Sequence, residues 1–378
     1  MVAYPKATDL QQSPMIGTWG ETDIPVYEIP SMHALNQVVG YIKHINAGNG
    51  TVLYRGQCEL YESVIPSIKH CMSEIEYHEG RLKDAISASI EDDPFRKFLG
   101  LRNSDIDGWK LYEKLIVEAV FQHYGAKTYC VDFVDNHWTA LWFGLYEWDA
   151  KKKKYKCREH KGKAKLSPYI TKSDRIAKQE LPLKPCLESV VLSEEKIQIL
   201  KECASHGSIT LDELIKRNTR TKYEAQCRSW ETECKKIKQY NQEIDEIINA
   251  EHLYMFLYVA ETNTSNIHGV YLGENTYTID LRKALPSTFL RPCSQHGWIV
   301  RGKDCSYDFN SKIACVLQIS VSLVIEMLGN GALLSQENFF PNEKIDQGYR
   351  ILLMRQEGSR LESDNPKILP ENMITDFE

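Results

Sequence analysis

Residues Gln122 to Gly144, QHYGAKTYCVDFVDNHWTALWFG, hold the side chains best suited to chemistry in this chain. His123 is a histidine, the side-chain type suited to giving or taking a proton as a general acid or base. Asp132 offers a carboxylate, while Gln122, Tyr124, Thr128 and Asn136 offer hydrogen bonds of both senses. Phe133, Trp138, Trp142 and Phe143 stand among them. Polar groups this dense beside so much apolar surface must be hydrogen-bonded inside the protein or face a pocket. For His123, a satisfied core histidine and a functional one are even readings. Asp132, if buried, needs a partner, and Arg55 is the natural one.

These groups need elements to hold them. Tyr129 to Val134 reads as a strand. Asp135 or Asn136 can cap the helix that follows, on which Trp138, Leu141, Trp142 and Leu145 share one face and belong to the core. Such strand-to-helix corners commonly offer polar groups to a ligand. Upstream, Trp109 to Val120 reads as a helix with Leu111, Leu115, Ile116 and Ala119 inward, and it delivers the chain to Gln122. Thr51 to Gln57 (TVLYRGQ) is a short β-rich run, in which Gly56 permits close backbone approach beside Arg55. Arg55 can therefore contact a ligand or form a structural pair with Asp132. Before it, Ser31 caps a helix bearing Leu35, Val38, Val39, Ile42 and Ile45, ended by Gly48-Asn49-Gly50. Residues 1–29 read as an N-terminal arm, of which residues 1–20, polar and bearing Pro5 and Pro14, are loose.

The 378 residues suffice for one large domain with an insertion, or for two domains. A hydrophobic share of 42% with 26% charged residues is that of a soluble globular chain. The net charge of −6 argues against a general nucleic-acid coat. No apolar run is long enough to span a bilayer, and the first residues lack a signal pattern. Eleven cysteines without a CxxC pair imply reduced thiols in a cytoplasmic protein. Cys157 and His160 have ligand spacing but no second pair, which argues against metal.

Composition shifts at about residue 150. The run Lys151 to Lys154 and Pro168, Pro182 and Pro185 open a charged, helical insertion over 151–250. Ser193 starts one helix, and Thr210 with Glu213 forms a capping box starting a second. A third, from about Tyr223 to Ile248, spaces Tyr223, Cys227, Trp230, Cys234, Ile237, Ile244 and Ile248 as a seam that wants a partner, by self-association or on another protein. Ile199 to Arg217, with Gly207 in the turn, also fits a helix-turn-helix, although a plain helical hairpin gives the same pattern. Beyond the insertion, β character returns at Leu253–Val259, Gly269–Leu272, Tyr277–Asp280 and Ile313–Ile319, with a helix over Ser322–Leu328. Residues 30–150 and 251–355 thus make the main domain, and 356–378 a polar tail. The expected class is α+β: a twisted, mixed or antiparallel sheet flanked by helices.

Four blocks, in order, carry a family resemblance. They are Tyr54-Arg55-Gly56-Gln57; Gln122-His123-Tyr124-Gly125 with Thr128, Asp132, Asn136, Ala140 and Phe143; Arg291, Gln295, Gly297 and Trp298; and Phe339-Phe340-Pro341. The chain resembles FRG-domain proteins over roughly residues 30–350. Tyr129 stands where the family has arginine, and Ala126-Lys127 where it has Leu-Pro. The block order is also similar to the ADP-ribosyltransferase plan, with Gln295 and Gly297 where that plan has its Glu-x-Glu. That likeness implies a nucleotide ligand, with NAD as substrate, and an ADP-ribosyltransferase or NAD glycohydrolase acting as a toxin or defence effector. Arg55 would hold phosphate or ribose, His123 and Asp132 would act as acid/base or charge stabiliser, and Tyr54, Gly56, Gln57, Gln122, Tyr124, Thr128, Asn136, Arg291 and Gln295 would bind the ligand. Breaking a nicotinamide–ribose bond develops oxocarbenium-like charge, which a carboxylate stabilises. The competing class is a module that binds a nucleotide or partner without chemistry.

Overall fold

The computed structural model describes residues 2–70, 74–101, 109–149, 154–157, 182, 184–186, 190–205, 210–329 and 334–361. They divide into two compact units, one of residues 1–160 with 251–378 and one of residues 161–250.

The first unit is α+β. In chain order it contains β1 (Met15–Thr18), β2 (Pro25–Ile29), α1 (Met32–Ile45), β3 (Thr51–Gln57), α2 (Ile75–Glu91), α3 (Asp93–Phe98), α4 (Trp109–His123), β4 (Cys130–Val134), α5 (His137–Leu145) and the hairpin β5 (Tyr146–Asp149) and β6 (Lys154–Cys157). In the second unit α6 (Glu194–Ser205) precedes α7 (Leu211–Glu251), whose last residue leads back into the first. There follow β7 (His252–Ala260), β8 (Asn266–Ile267), β9 (Val270–Leu272), β10 (Thr276–Asp280), α8 (Leu281–Ala284), α9 (Leu290–Ser294), β11 (Gly297–Gly302), β12 (Ile313–Ser320), α10 (Val321–Met327), α11 (Gln336–Phe339) and α12 (Gln347–Leu361).

Ten strands form one mixed sheet in the order β1-β2-β12-β7-β3-β4-β11-β10-β9-β8. Its one parallel pair among the described strands is β12 with β2. The seam between β3 and β4 positions the site. β3 pairs with β7 along its whole length, from Thr51↔Ala260 to Gln57↔Tyr254. β4 pairs with β11 from Cys130↔Arg301 to Val134↔Gly297. Between β3 and β4 the ladder is the single pair Tyr54↔Val134. The sheet is therefore two halves, β1-β2-β12-β7-β3 and β4-β11-β10-β9-β8, joined by one rung.

Alternation along the strands assigns their faces. Val52 and Tyr54 of β3, with Met255 and Leu257 of β7, join a cluster under α1, α5 and α10 that includes Leu35, Leu141, Trp142 and Val324. On the same face, Cys130 of β4 and Ile299 of β11 lie under α2, α3 and α4 in a separate cluster with Phe95, Leu115 and Phe121. The opposite face buries Leu53, Phe133, Tyr258 and Trp298 beneath Trp19 and Phe309. Ser31 and Asn136 cap α1 and α5 as their residue types require, accepting from the main-chain N–H of Ala34 and Trp138.

Several expectations need correction. Residues 2–29 are not a loose arm: they supply β1 and β2, and Trp19 is 1% exposed, with its Nε1 donating to the Tyr61 carbonyl at 2.7 Å. Leu111 is not inward; it is 42% exposed. The second and third helices of the insertion are one 41-residue helix, α7, opened by the Thr210–Glu213 capping box. No proline or glycine interrupts that stretch, so nothing breaks it at Tyr223. A helix of this length has no short recognition helix within it, while Gly207 lies outside the described residues. The Lys151–Lys153 stretch, His160 and most of the 356–378 tail also lie outside them, and α12 continues to Leu361.

In the second unit, considered alone, the seam residues Tyr223, Cys227, Trp230, Cys234 and Ile237 are half-buried while most of their neighbours on α7 are exposed. Trp230 Nε1 donates to the Pro182 carbonyl at 2.7 Å. No described helix of either unit is long and apolar enough to cross a membrane.

Candidate functional site

A cleft of about 310 Å³ opens where β3 and β4 part. Tyr54, Arg55 and Gly56 come from β3, Asp132 to Val134 from β4, Gln122 and His123 from the end of α4, and Ala140 and Phe143 from α5. Gln295, Gly297 and Phe340 close the far side. The four sequence blocks thus contribute to one concave place, between the two helix-covered clusters.

Arg55 belongs to this place by backbone geometry. Past the Tyr54↔Val134 rung the strands diverge, and the guanidinium reaches across the gap to donate through Nη1 to the main-chain carbonyl of Asp132 at 2.8 Å. Its Nε is buried without a partner among the described residues. Burial pushes the guanidinium below its usual range, and the nearby Asp132 carboxylate pushes it back up. A cation so placed is short of hydrogen-bond acceptors, which an anionic or hydroxyl-bearing ligand would supply.

Asp132 is held by α4. Its Oδ2 accepts from Gln122 Nε2, while its Oδ1 is buried with no hydrogen-bond partner among the described residues. Gln122 is fixed in turn: its Oε1 accepts from Thr128 Oγ1 and from Ser67 Oγ, the latter at 3.3 Å. Thr128 Oγ1 also accepts from the Cys130 N–H at 3.0 Å, tying the start of β4 to α4. His123, whose side chain is 5% exposed, places Nδ1 3.8 Å from Asp132 Oδ1, outside direct hydrogen-bond reach, and its Nε2 is buried without a partner among the described residues. A β-carbon on residue 297 would stand 2.9 Å from His123 Cε1, so Gly297 leaves the space this ring occupies.

Gly56 has a different role from the one its motif suggests. A β-carbon there would meet the Ala140 carbonyl oxygen at 1.7 Å and the Gly144 nitrogen at 2.8 Å. The close approach is that of α5, packed directly on β3, and a ligand has no part in it. The Tyr-Arg-Gly-Gln and Ala-Leu-Trp-Phe-Gly blocks are thus two sides of one contact.

The remaining candidates divide. Gln295 lines the cleft, but its Nε2 donates to the Phe339 carbonyl at 2.7 Å, fastening the Phe339-Phe340 block in place. Tyr124, Thr128, Asn136 and Arg291 do not line it. Tyr124 is buried with its hydroxyl donating to Asp346 Oδ2 at 2.9 Å, and Arg291 stacks over the Tyr349 ring at 4.2 Å. Thr128 and Asn136 serve the α4–β4 and β4–α5 joints. Gln57, whose Oε1 is buried and unpartnered, lies outside the lining. Position 129, the departure from the family pattern, faces a separate cavity.

One polar cluster was missed in the sequence. Asp135, just after β4, accepts from Arg282 and from Trp298 Nε1 at 3.2 Å, and its Oδ1 lies 3.1 Å from His296 Nδ1. His296 adopts φ +53°, uncommon for any residue but glycine, between the cleft-lining Gln295 and Gly297. The Asp135-Asn136 pair was visible as a helix cap, but nothing local linked it to Arg282, 147 residues away.

The FRG domain model matches residues 50–153, a span containing Tyr54 to Gln57 and the whole Gln122 to Gly144 stretch. The chain thus carries an FRG domain there, centred on β3, α4, β4 and α5. No curated protein and no solved structure matches the chain.

Proposed function

We propose that the cleft binds a nucleotide of the NAD type and that the protein acts on its nicotinamide–ribose bond, as an NAD glycohydrolase or ADP-ribosyltransferase with an ADP-ribosyltransferase-like core. The observation that carries this reading is the set of buried, unpartnered atoms around one cavity: Arg55 Nε, His123 Nε2 and Asp132 Oδ1. Donor, acid/base and carboxylate each keep one atom without a hydrogen-bond partner among the described residues, and buried polar atoms are seldom left so. The volume is at the lower end for ligand sites and suits one half of a dinucleotide.

In this reading Arg55 grips phosphate or ribose oxygens. The ribose–nitrogen bond breaks with its electron pair going to the nicotinamide ring, which leaves neutral. Asp132 stabilises the positive charge left on the ribose, and His123 takes the proton of the attacking water or acceptor. Consumption of NAD would suit a toxin or defence effector working in the cytoplasm.

A second reading is a binding module without chemistry. It is favoured by Gln295, which stands where the transferase plan has a glutamate and is already bonded to Phe339. The purified chain incubated with NAD separates the two. The first reading expects nicotinamide release or ADP-ribose transfer, abolished by Asp132→Asn with an unchanged thermal transition. The second expects nucleotide to raise the transition with no product formed. If a nucleotide panel gives neither turnover nor stabilisation, both fail. The half-buried α7 stripe supports a separate proposal, self-association or a protein partner through 221–250, which sedimentation of Trp230→Glu against wild type would test.

A further inference from the structure

A second cavity, of about 370 Å³, lies between α2 and α4 beside the end of β11. It shares no lining residue with the cleft, so what it binds does not depend on the reading given above. Its walls are apolar: Leu82 and Ile86 from α2, Leu111 and Leu115 from α4.

The polar groups around this apolar space are unevenly paired. Arg301 Nε donates to Glu118 Oε2 at 2.7 Å, and Nη1 to the Gly302 carbonyl at 3.1 Å. Glu118 Oε1 takes the Tyr129 N–H at 3.3 Å. Both oxygens of that carboxylate are occupied, whereas Arg301 Nη2 has no partner among the described residues. The exposed Lys83 and Lys114 form no ion pair among the described residues, and Glu79 is the other carboxylate of the lining. Three cations from three elements thus stand against two carboxylates, Glu79 and Glu118, around one apolar space, a net positive lining in a chain whose net charge is −6. Local excess of the sign opposite to the whole chain marks a place suited to an anion. Leu111, exposed and set on the wall, offers apolar surface that a ligand would cover.

We propose that this cavity is a binding site for an amphiphilic carboxylate, such as a medium-chain fatty acid. Its carboxylate meets Arg301 and the two lysines, and its hydrocarbon chain lies along Leu82, Ile86, Leu111 and Leu115. An alcohol of the same length lacks the charge, and a short acid lacks the apolar contact.

Titration of the full chain with decanoate, followed calorimetrically below its micelle concentration, tests this. Saturable binding at one site is expected, tightening roughly fourfold per added methylene from hexanoate to decanoate and at least tenfold stronger than for decanol. Lys83→Glu with Lys114→Glu, both exposed side chains, should weaken decanoate at least tenfold. Ser87→Trp, at a small exposed residue of the lining, should fill the space and abolish binding. Absence of saturable binding by the wild-type chain overturns the proposal. So does binding that survives the double charge reversal, a variant that keeps the test valid should Ser87→Trp fail to fold.

Discussion

The Arg55 guanidinium bonds the main-chain carbonyl of Asp132, at 2.8 Å, and leaves the carboxylate of the same residue to Gln122. Of the two readings of Arg55, ligand contact or an ion pair with Asp132, the second is thus replaced by a strand-bridging contact. Arg55 occupies the place where ladder bonds between β3 and β4 would otherwise continue, and its Nε is left without a partner among the described residues.

Arg55→Ala should therefore weaken nucleotide binding by roughly 2–5 kcal/mol, the cost of removing one partner from a buried charge-assisted contact. Arg55→Lys should not restore it, because an ammonium cannot bridge to the carbonyl and hold an anion through one planar fork. Nucleotide-induced shifts of the thermal transition measure both. Full retention of the shift in Arg55→Ala would remove the guanidinium from the site.

Gly56→Ala should destabilise the fold by about 3 kcal/mol or more, since the clash is with the main chain of α5 and no side-chain rotation relieves it. Urea denaturation reads this directly. A near-neutral result would mean that α5 can lift from β3, and with it the wall of the cleft.

Gln122→Leu removes a side chain that joins Thr128 and Ser67 to Asp132. The loss leaves buried groups unpaired, at a cost of about 1–3 kcal/mol. It should also free the Asp132 carboxylate to change orientation. The expected signature is loss of activity or binding larger than the loss of stability explains, whereas Thr128→Val should affect stability alone.

The His137 imidazole is pushed down from 6.5 to about 4, first by burial and then by Lys43. Its folded state resists the proton that the unfolded chain accepts, so stability from this group is full above about 6.5 and falls as pH drops towards about 4. His137→Phe keeps a ring against Tyr54 and Trp138 and should flatten that part of the stability–pH curve. An unchanged slope would place the acid sensitivity elsewhere.

Much of this was legible locally. The Tyr129–Val134 strand, the Asn136 cap and the Ser31 cap follow from short-range pattern, and the gathering of Arg55, His123, Asp132 and Gln295 was expected from their shared character. What could not be read depends on contacts between distant segments. Gly56 answers to Ala140, Gln295 to Phe339, and Arg282 to Asp135; in each case the partner is settled only once the sheet is assembled. The N-terminal strands were missed because a short, polar, proline-bearing stretch looks like a linker until β12 supplies a neighbour for β2. α7 was divided because its seam begins midway, while helix formation depends on the absence of a breaker.

The one-rung joint has a counterpart in chain connectivity. β1 to β3 and then β4 precede the second unit, and β7 to β12 follow it, yet each half of the sheet takes strands from both stretches. In one half β7 lies between β3 and β12; in the other β4 lies against β11. A polypeptide divided within the second unit gives two fragments, neither of which owns a complete half-sheet or all of the cleft. Arg55, His123 and Asp132 would travel with one and Gln295 with the other. The fold is thus suited to split-protein complementation, in which the cleft exists only when the two fragments have met.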